Sequence, residues 1–249
     1  MMNEPVLELE NLTKLYANGR GAEDISFALA PGEVLGLLGP NGSGKTTTMK
    51  AIAGLVRPTR GVVRVCGVDV TQRHEQAMRC TGCLIEAPAL YEHMTAYQNL
   101  KLAARFYVDL SRDAREARIG EVLRMVEMDR YKKDKISSFS LGMRQRIGLA
   151  LALLSDPKLL ILDEPANGLD IEGMVFVRDV VKQAAVRGAA VLISSHLAHE
   201  IQQCAAKAAI MYNGRLLCVE SLDTILATSP SLEDFFLEQT AKMRRGAAV

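Results

Sequence analysis

The sequence predicts an α/β fold: a core with a mostly parallel sheet, an antiparallel β part at the N-terminal side, and an inserted α-helical subdomain. Three observations predict it. Short apolar runs at residues 34–38, 159–162 and 191–194 read as strands buried on both faces, as parallel strands are. Residues 6–9 and 25–29 alternate apolar and polar side chains, the pattern of half-buried strands. Residues 96–154 lie between these groups, with helix formers, few glycines and mixed charge.

The elements follow in order. Pro31-Gly32 is a turn signal before the strand at 34–38, and a glycine-rich loop occupies 39–44. A helix is expected over 46–55, stopped near Gly54 and Pro58. Residues 61–70 read as one strand, and 83–85 sit in another short apolar run. Past the helical stretch, helices are expected at 171–187 and 197–204, between and after the buried strands. Residues 208–212 and 215–219 flank Asn213-Gly214, a hairpin turn. A closing helix is expected over 231–240, with Phe235, Phe236 and Leu237 on its apolar side. The chain reads as a single domain, 1–249. Its core is drawn from about 1–86 and 156–228, the helical subdomain spans 87–155, and a C-terminal helix and tail span 229–249.

Composition narrows the function classes. The 249 residues are 49% hydrophobic and 24% charged, ordinary for a globular protein able to bury its own core. Thirty basic and 29 acidic residues leave a net charge of +1, which argues against nucleic acid as the partner. No run approaches the roughly 20 apolar residues of a membrane-spanning helix, and the N-terminal residues lack a secretory pattern. A cytoplasmic location is expected, with any membrane association through a partner. The five cysteines are sparse and odd in number, so a disulfide framework is not expected. Cys80 and Cys83 have C-x-x-C spacing without a second ligand pair; buried structural thiols are the expectation.

The chemistry starts at Gly39-Pro40-Asn41-Gly42-Ser43-Gly44-Lys45-Thr46, a full match to G-x-x-x-x-G-K-[ST] placed between an expected strand and an expected helix. Glycines let the backbone curl around an anion, and successive N–H groups with the helix N-terminus face its phosphates. The ATP-contacting residues expected here are Asn41, Gly42, Ser43, Gly44, Lys45, Thr46 and Thr47. Lys45 places a charge on the terminal phosphates, and Thr46 offers a hydroxyl to Mg²⁺. The apolar run Leu159-Leu160-Ile161-Leu162 ends in Asp163-Glu164. Ligands in parallel sheets bind at strand C-termini, so both carboxylates should face the nucleotide. Asp163 is the candidate metal ligand and Glu164 the candidate general base.

Phe139-Ser140-Leu141-Gly142-Met143-Arg144-Gln145-Arg146 resembles the LSGGQ-type signature of ATP-binding-cassette (ABC) ATPases, and it lies between the phosphate loop and the acidic strand as in that family. The resemblance covers about residues 6–240 and implies further roles. Tyr16 matches the aromatic that stacks on adenine. Asn167-Gly168-Leu169-Asp170 resembles the D-loop, which places Asp170 near a dimer interface. His196 matches the switch histidine that contacts the γ-phosphate. The resemblance also implies a nucleotide-dependent homodimer, with Ser140 and Gly142 of a second copy completing each ATP site. Apart from the motif order, Tyr16 would read as a surface aromatic, His196 as a structural histidine and Asp170 as a helix cap.

Two departures from the family pattern carry information. Glu86, in Leu84-Ile85-Glu86-Ala87-Pro88, stands where most members carry a Gln that helps hold Mg²⁺ and water. The added charge should tighten metal dependence and weaken ATP binding without metal. The signature has Leu141 and Met143 where Gly and Gln are usual. Both segments resemble the ATPase subunits of bacitracin-resistance and lantibiotic-immunity exporters. That resemblance implies an Mg²⁺-dependent ATPase on the inner membrane face, working on separate permease subunits through a surface around 86–100. There Leu90, Tyr91, Met94 and Tyr97 read equally as a permease groove or as core. The alternatives are an ABC ATPase without a permease and a nucleotide sensor without turnover.

Overall fold

The structure is a computed structural model that describes residues 4–107 and 111–246; residues 1–3, 108–110 and 247–249, part of the segments assigned above, lie outside the described residues. One ten-stranded sheet runs through the molecule. Its strands are β1 (Leu7–Leu15), β2 (Gly21–Leu29), β3 (Val34–Leu38), β4 (Arg60–Val65), β5 (Val68–Asp69), β6 (Thr81–Leu84), β7 (Leu159–Asp163), β8 (Ala190–Ser195), β9 (Lys207–Tyr212) and β10 (Arg215–Ser221). Their spatial order is β5-β4-β1-β2-β10-β9-β3-β8-β7-β6. Strands β9, β3, β8, β7 and β6 are mutually parallel, whereas β1, β2, β4 and β5 pair antiparallel.

The helices are α1 (Lys45–Ile52), α2 (His74–Met78), α3 (Ala96–Ala104), α4 (Arg112–Met125), α5 (Leu141–Leu153), α6 (Ile171–Val186), α7 (Ala198–Cys204), α8 (Leu222–Thr228) and α9 (Leu232–Gly246). The parallel strands are buried on both faces, which explains their unbroken apolar runs. Leu160 and Leu162 of β7 pack with Leu100, Ile119, Ile147 and Phe176 on one side. Leu159 and Ile161 pack with Leu35, Met49 and Ile52 on the other. Side chains alternate across a strand, so one short segment serves two cores.

Several expectations need correction. Residues 61–70 are two strands, β4 and β5. They are joined by a two-residue turn in which Cys66 (φ 49°) and Gly67 (φ 74°) are both left-handed. Such a turn matches the twist of the flanking strands. Helix α1 ends a turn early, and α9 runs longer than expected. Helices α2 and α8 are additional; each is too short to show a periodic apolar face. No cysteine is fully buried: Cys66 and Cys83 are exposed, and Cys80, Cys204 and Cys218 half-buried. Cys66 sits in the β4–β5 turn and Cys83 on the edge strand β6, positions the core does not cover.

Between β6 and β7 the chain is mostly helical. Helix α5 lies directly on β6: a Cβ on Gly82 would stand 1.9 Å from the Ala152 carbonyl oxygen. Leu90 and Tyr97 pack against the core there, while Tyr91 is exposed. No helix among the described residues is long and apolar enough to cross a membrane.

Candidate active site

The phosphate loop joins β3 to α1. Gly44 holds φ 102°, and a Cβ there would meet the Gly21 carbonyl oxygen at 2.8 Å, so this turn admits only glycine. Helix α1 starts at Gly44 with no side-chain cap, whereas α3, α4, α5 and α6 are capped by Thr95, Ser111, Ser140 and Asp170. The first N–H groups of α1 are therefore left for an anion. The Ser43 hydroxyl is buried in the same loop without a hydrogen-bond partner. An orphaned donor within a ring of N–H groups fits a phosphate oxygen.

Lys45 is only 5% exposed. Its Nζ donates to the Gly39 carbonyl oxygen at 2.6 Å and to that of Pro40 at 3.4 Å, and it lies 3.2 Å from Glu164 Oε1. A buried cation needs such partners, because desolvating it alone costs far more than a hydrogen bond returns. Glu164 Oε2 is 2.7 Å from His196 Nδ1. An ionised carboxylate only accepts, so that nitrogen carries the proton of this contact. Glu164 thus bridges the phosphate-loop lysine and the histidine after β8.

Asp163 is 5% exposed and ends β7 beside Ser194 of β8, its partner in register. The Ser194 hydroxyl donates to Asp163 Oδ1 at 2.5 Å and accepts from the Glu164 backbone N–H at 2.9 Å. Among the described residues, none hydrogen-bonds to the Thr46 hydroxyl. Thr46 and Asp163 are oxygen donors of the kind Mg²⁺ takes, and they fit an ion that also bears water and phosphate. No group of three His, Cys, Asp or Glu side chains able to hold a metal forms among the described residues.

Glu86 is 64% exposed, at φ 62°, and accepts a 2.6 Å hydrogen bond from Lys50 Nζ of α1. That bond holds the Lys50 ammonium above its ordinary pKa, and the charges of Glu86 and Asp163 reinforce it. Glu86 therefore lies on the α1 side of the site. Tyr16 is 41% exposed, with Lys14 Nζ 5.5 Å from its ring centroid.

Ser140, Gly142 and Asp170 form a separate group. They line a small depression between α5 and α6, with Leu169 and Gln145. Ser140 accepts from the Met143 N–H and Asp170 from the Gly173 N–H, each capping its own helix. Neither makes a hydrogen bond or ion pair to the phosphate loop. Asn41, Gly42 and Thr47 lie on the loop and the first turn of α1.

Two contributors escaped sequence reasoning. Ser194 could not be found, because only strand register brings it to Asp163. Gln145 is buried and donates to the Pro165 carbonyl oxygen at 2.8 Å, tying α5 to the turn after Glu164. A groove of about 870 Å³ lies elsewhere, on the antiparallel strands. Two of its acids there, Glu10 and Glu23, pair with Arg64 and Arg215.

Comparison with known proteins points the same way. The family described as ABC transporter matches residues 22–167. The chain is 41% identical over 218 residues to the uncharacterized ABC transporter ATP-binding protein YhcH of Bacillus subtilis (strain 168), covering 87% of this chain and 70% of YhcH. It is 38% identical to the bacitracin transport ATP-binding protein BcrA of Enterococcus faecalis, over 87% of this chain and 70% of BcrA. It is 35% identical to the lantibiotic transport ATP-binding protein SrtF of Streptococcus pyogenes, over 94% of this chain and 97% of SrtF. A solved ATP-binding subunit of an ABC transporter superposes with a TM-score of 0.85 at 32% identity, covering 94% of this chain and 99% of that one. The ATP-binding cassette MJ0796, solved as a dimer in a post-hydrolysis state bound to ADP and Pi, gives 0.78 at 25% identity, over 87% and 98%. With a phosphate loop, an acidic strand end and a histidine brought together on this fold, the chain belongs to the ABC transporter ATP-binding family.

Proposed function

We propose that this chain hydrolyses ATP with Mg²⁺ to power export through separate permease subunits, bound at the inner face of the membrane. The carrying observation is the placement of Glu164 between Lys45 and His196, at 3.2 and 2.7 Å. Without nucleotide, Lys45 uses Glu164 as its counter-charge. A triphosphate on the loop offers Lys45 a stronger partner, so its arrival releases one oxygen of Glu164. That oxygen can then take the proton of the attacking water, while His196 fixes the other. Water adds to the γ-phosphorus, the bond to the ADP oxygen breaks, and ADP and phosphate leave.

Mg²⁺, if bound, would supply charge neutralisation at the triphosphate. Thr46 and Asp163 would hold it, with Glu86 as an outer carboxylate once freed from Lys50. Tyr16 would stack on the adenine. Ser140, Gly142 and Asp170 cluster away from the loop of their own chain, which supports their acting on the ATP of a second copy. The arrangement is then a head-to-tail homodimer with two shared sites. The identities to BcrA and SrtF support antimicrobial peptides as cargo and a surface around residues 86–100, including exposed Tyr91, for the permease.

The test is Glu164→Gln with ATP and Mg²⁺. Loss of the base should cut turnover about 10²–10⁴-fold and leave a dimer stable on size-exclusion chromatography. A monomer that still releases phosphate at the unmodified rate would refute the proposal.

A further inference from the structure

We propose that Ser194 is a positioning residue for ATP hydrolysis, whose single hydroxyl fixes the Asp163 carboxylate and the backbone of Glu164 together. The inference rests on the roles given above to Asp163 and Glu164 and adds the group that holds both.

Ser194 is fully buried near the end of β8, and its register partner is Asp163 at the end of β7. A buried hydroxyl must find its partners inside the protein. Here its one proton goes to Asp163 Oδ1 at 2.5 Å, and a lone pair receives the Glu164 N–H at 2.9 Å. The first bond lies in the short range of hydroxyl-to-carboxylate bonds, which ionic acceptors strengthen. It commits one Asp163 oxygen inward and fixes the plane of the carboxylate, so the direction of the other oxygen is set before a cation arrives.

The second bond acts on the neighbour. Glu164 stands at φ 48°, in the left-handed region that a non-glycine residue keeps only with outside support. The hydroxyl of Ser194 gives that support across the strand gap. This turn aims the Glu164 carboxylate at Lys45 and His196. Ser195 does something different. It donates to Glu200 Oε2 at 2.5 Å and accepts from the Leu197 N–H at 3.0 Å, which steadies the turn carrying His196. Of these two adjacent hydroxyls, only that of Ser194 hydrogen-bonds to the end of β7.

Removing the Ser194 hydroxyl therefore loosens a metal ligand and a proton acceptor at once, without touching the phosphate loop. Nucleotide affinity in the absence of metal should persist, while turnover and the metal requirement should change. Three variants separate volume from hydrogen bonding. Ser194→Ala removes the hydroxyl, Ser194→Cys nearly keeps the shape but bonds weakly, and Ser194→Thr restores a hydroxyl. Each is compared for steady-state kcat and KM for ATP, for the Mg²⁺ concentration giving half-maximal rate, and for binding of a fluorescent ATP analogue with and without Mg²⁺. A group that orients a catalytic residue typically contributes about tenfold or more, so Ala and Cys should lower kcat by about that factor. Both should raise the half-maximal Mg²⁺ concentration and weaken only the Mg²⁺-dependent part of analogue binding. Thr should recover most of the loss. Glu164→Gln is run beside them. If it is inactive while Cys matches the unmodified chain in kcat and Mg²⁺ requirement, Ser194 has no positioning role. An unfolded Ala variant leaves the Cys–Thr comparison to decide. If Glu164→Gln turns over normally, the assignment of Glu164 fails first and the inference falls with it.

Discussion

The phosphate-loop side and the helical segment of α3 to α5 hold their charges in opposite ways. Around the loop, Lys45 and Asp163 are almost fully buried, and their partners sit on the ends of parallel strands. In and beside the helical segment the acid side chain of each pair is open to solvent: Glu121 with Arg187 at 2.9 Å, Glu92 with Arg144 at 2.5 Å, Glu127 with Arg146 at 2.6 Å. A charge in a dry setting interacts strongly and must be placed by rigid elements. A solvated pair contributes at most about 1 kcal/mol and is weakened by salt. The phosphate-loop side relies on charges placed at strand ends, whereas the helices meet the core through fully buried apolar residues such as Leu100, Ile119 and Ile147, and their ion pairs add little. Helix α5 adds a close backbone contact, since it lies against Gly82 of β6.

The strongest way to break this contrast is at Lys45. Lys45→Ala should weaken binding of a fluorescent ATP analogue by about 1.5–3 kcal/mol, or ten- to a hundredfold, the range for hydrogen bonds to charged groups. An affinity within twofold of the unmodified chain would mean that the buried lysine is not the phosphate anchor.

Gly82→Ala probes the contact of α5 with β6. The added methyl cannot stand 1.9 Å from the Ala152 oxygen, so α5 must shift. Overpacking of this kind costs about 1–3 kcal/mol. For a chain of this size each kcal/mol lowers Tm by about 2–4 °C, which calorimetry or circular dichroism reads directly. An unchanged Tm would show that α5 yields at this contact without cost.

The smallest effect belongs to Arg187→Ala. Its partner Glu121 is held below its ordinary pKa of 4.5, first by the hydrogen bond from Arg118, then by that from Arg187. A carboxyl whose pKa is lowered by folding stabilises the protein above its unfolded value and loses that contribution as pH falls through the folded value. The destabilisation at pH 7 should therefore stay below about 1 kcal/mol, shrink in high salt, and fade as the pH drops past 4.5. Denaturant melts at pH 7 and pH 4, with and without added salt, check it. A penalty that high salt leaves unchanged would point to lost packing rather than lost charge.

Legibility in the sequence followed the same division. Strands β3, β7 and β8 were readable almost to the residue, because burial on two faces demands unbroken apolar runs. The turn at Asn213-Gly214 was readable because both residues tolerate positive φ, here 49° and 79°. Helices α2 and α8 were not, being too short for periodicity. The β4–β5 turn hid behind Cys66, a residue that rarely adopts a left-handed conformation. Glu86 could be singled out as unusual, but its bond to Lys50, 36 positions away, could not.

By itself the sequence determined the chemical groups and their order along the chain: a loop that receives phosphate, a strand ending in two acids, and a histidine after another strand. Local backbone preference and side-chain chemistry suffice for that. The tertiary structure alone decided which groups share a proton or a counter-charge. Lys45 with Glu164, and Ser194 with Asp163, meet only because parallel strands distant in the chain align their ends. Sheet register is a cooperative property of the whole core, and no local stretch of residues encodes it.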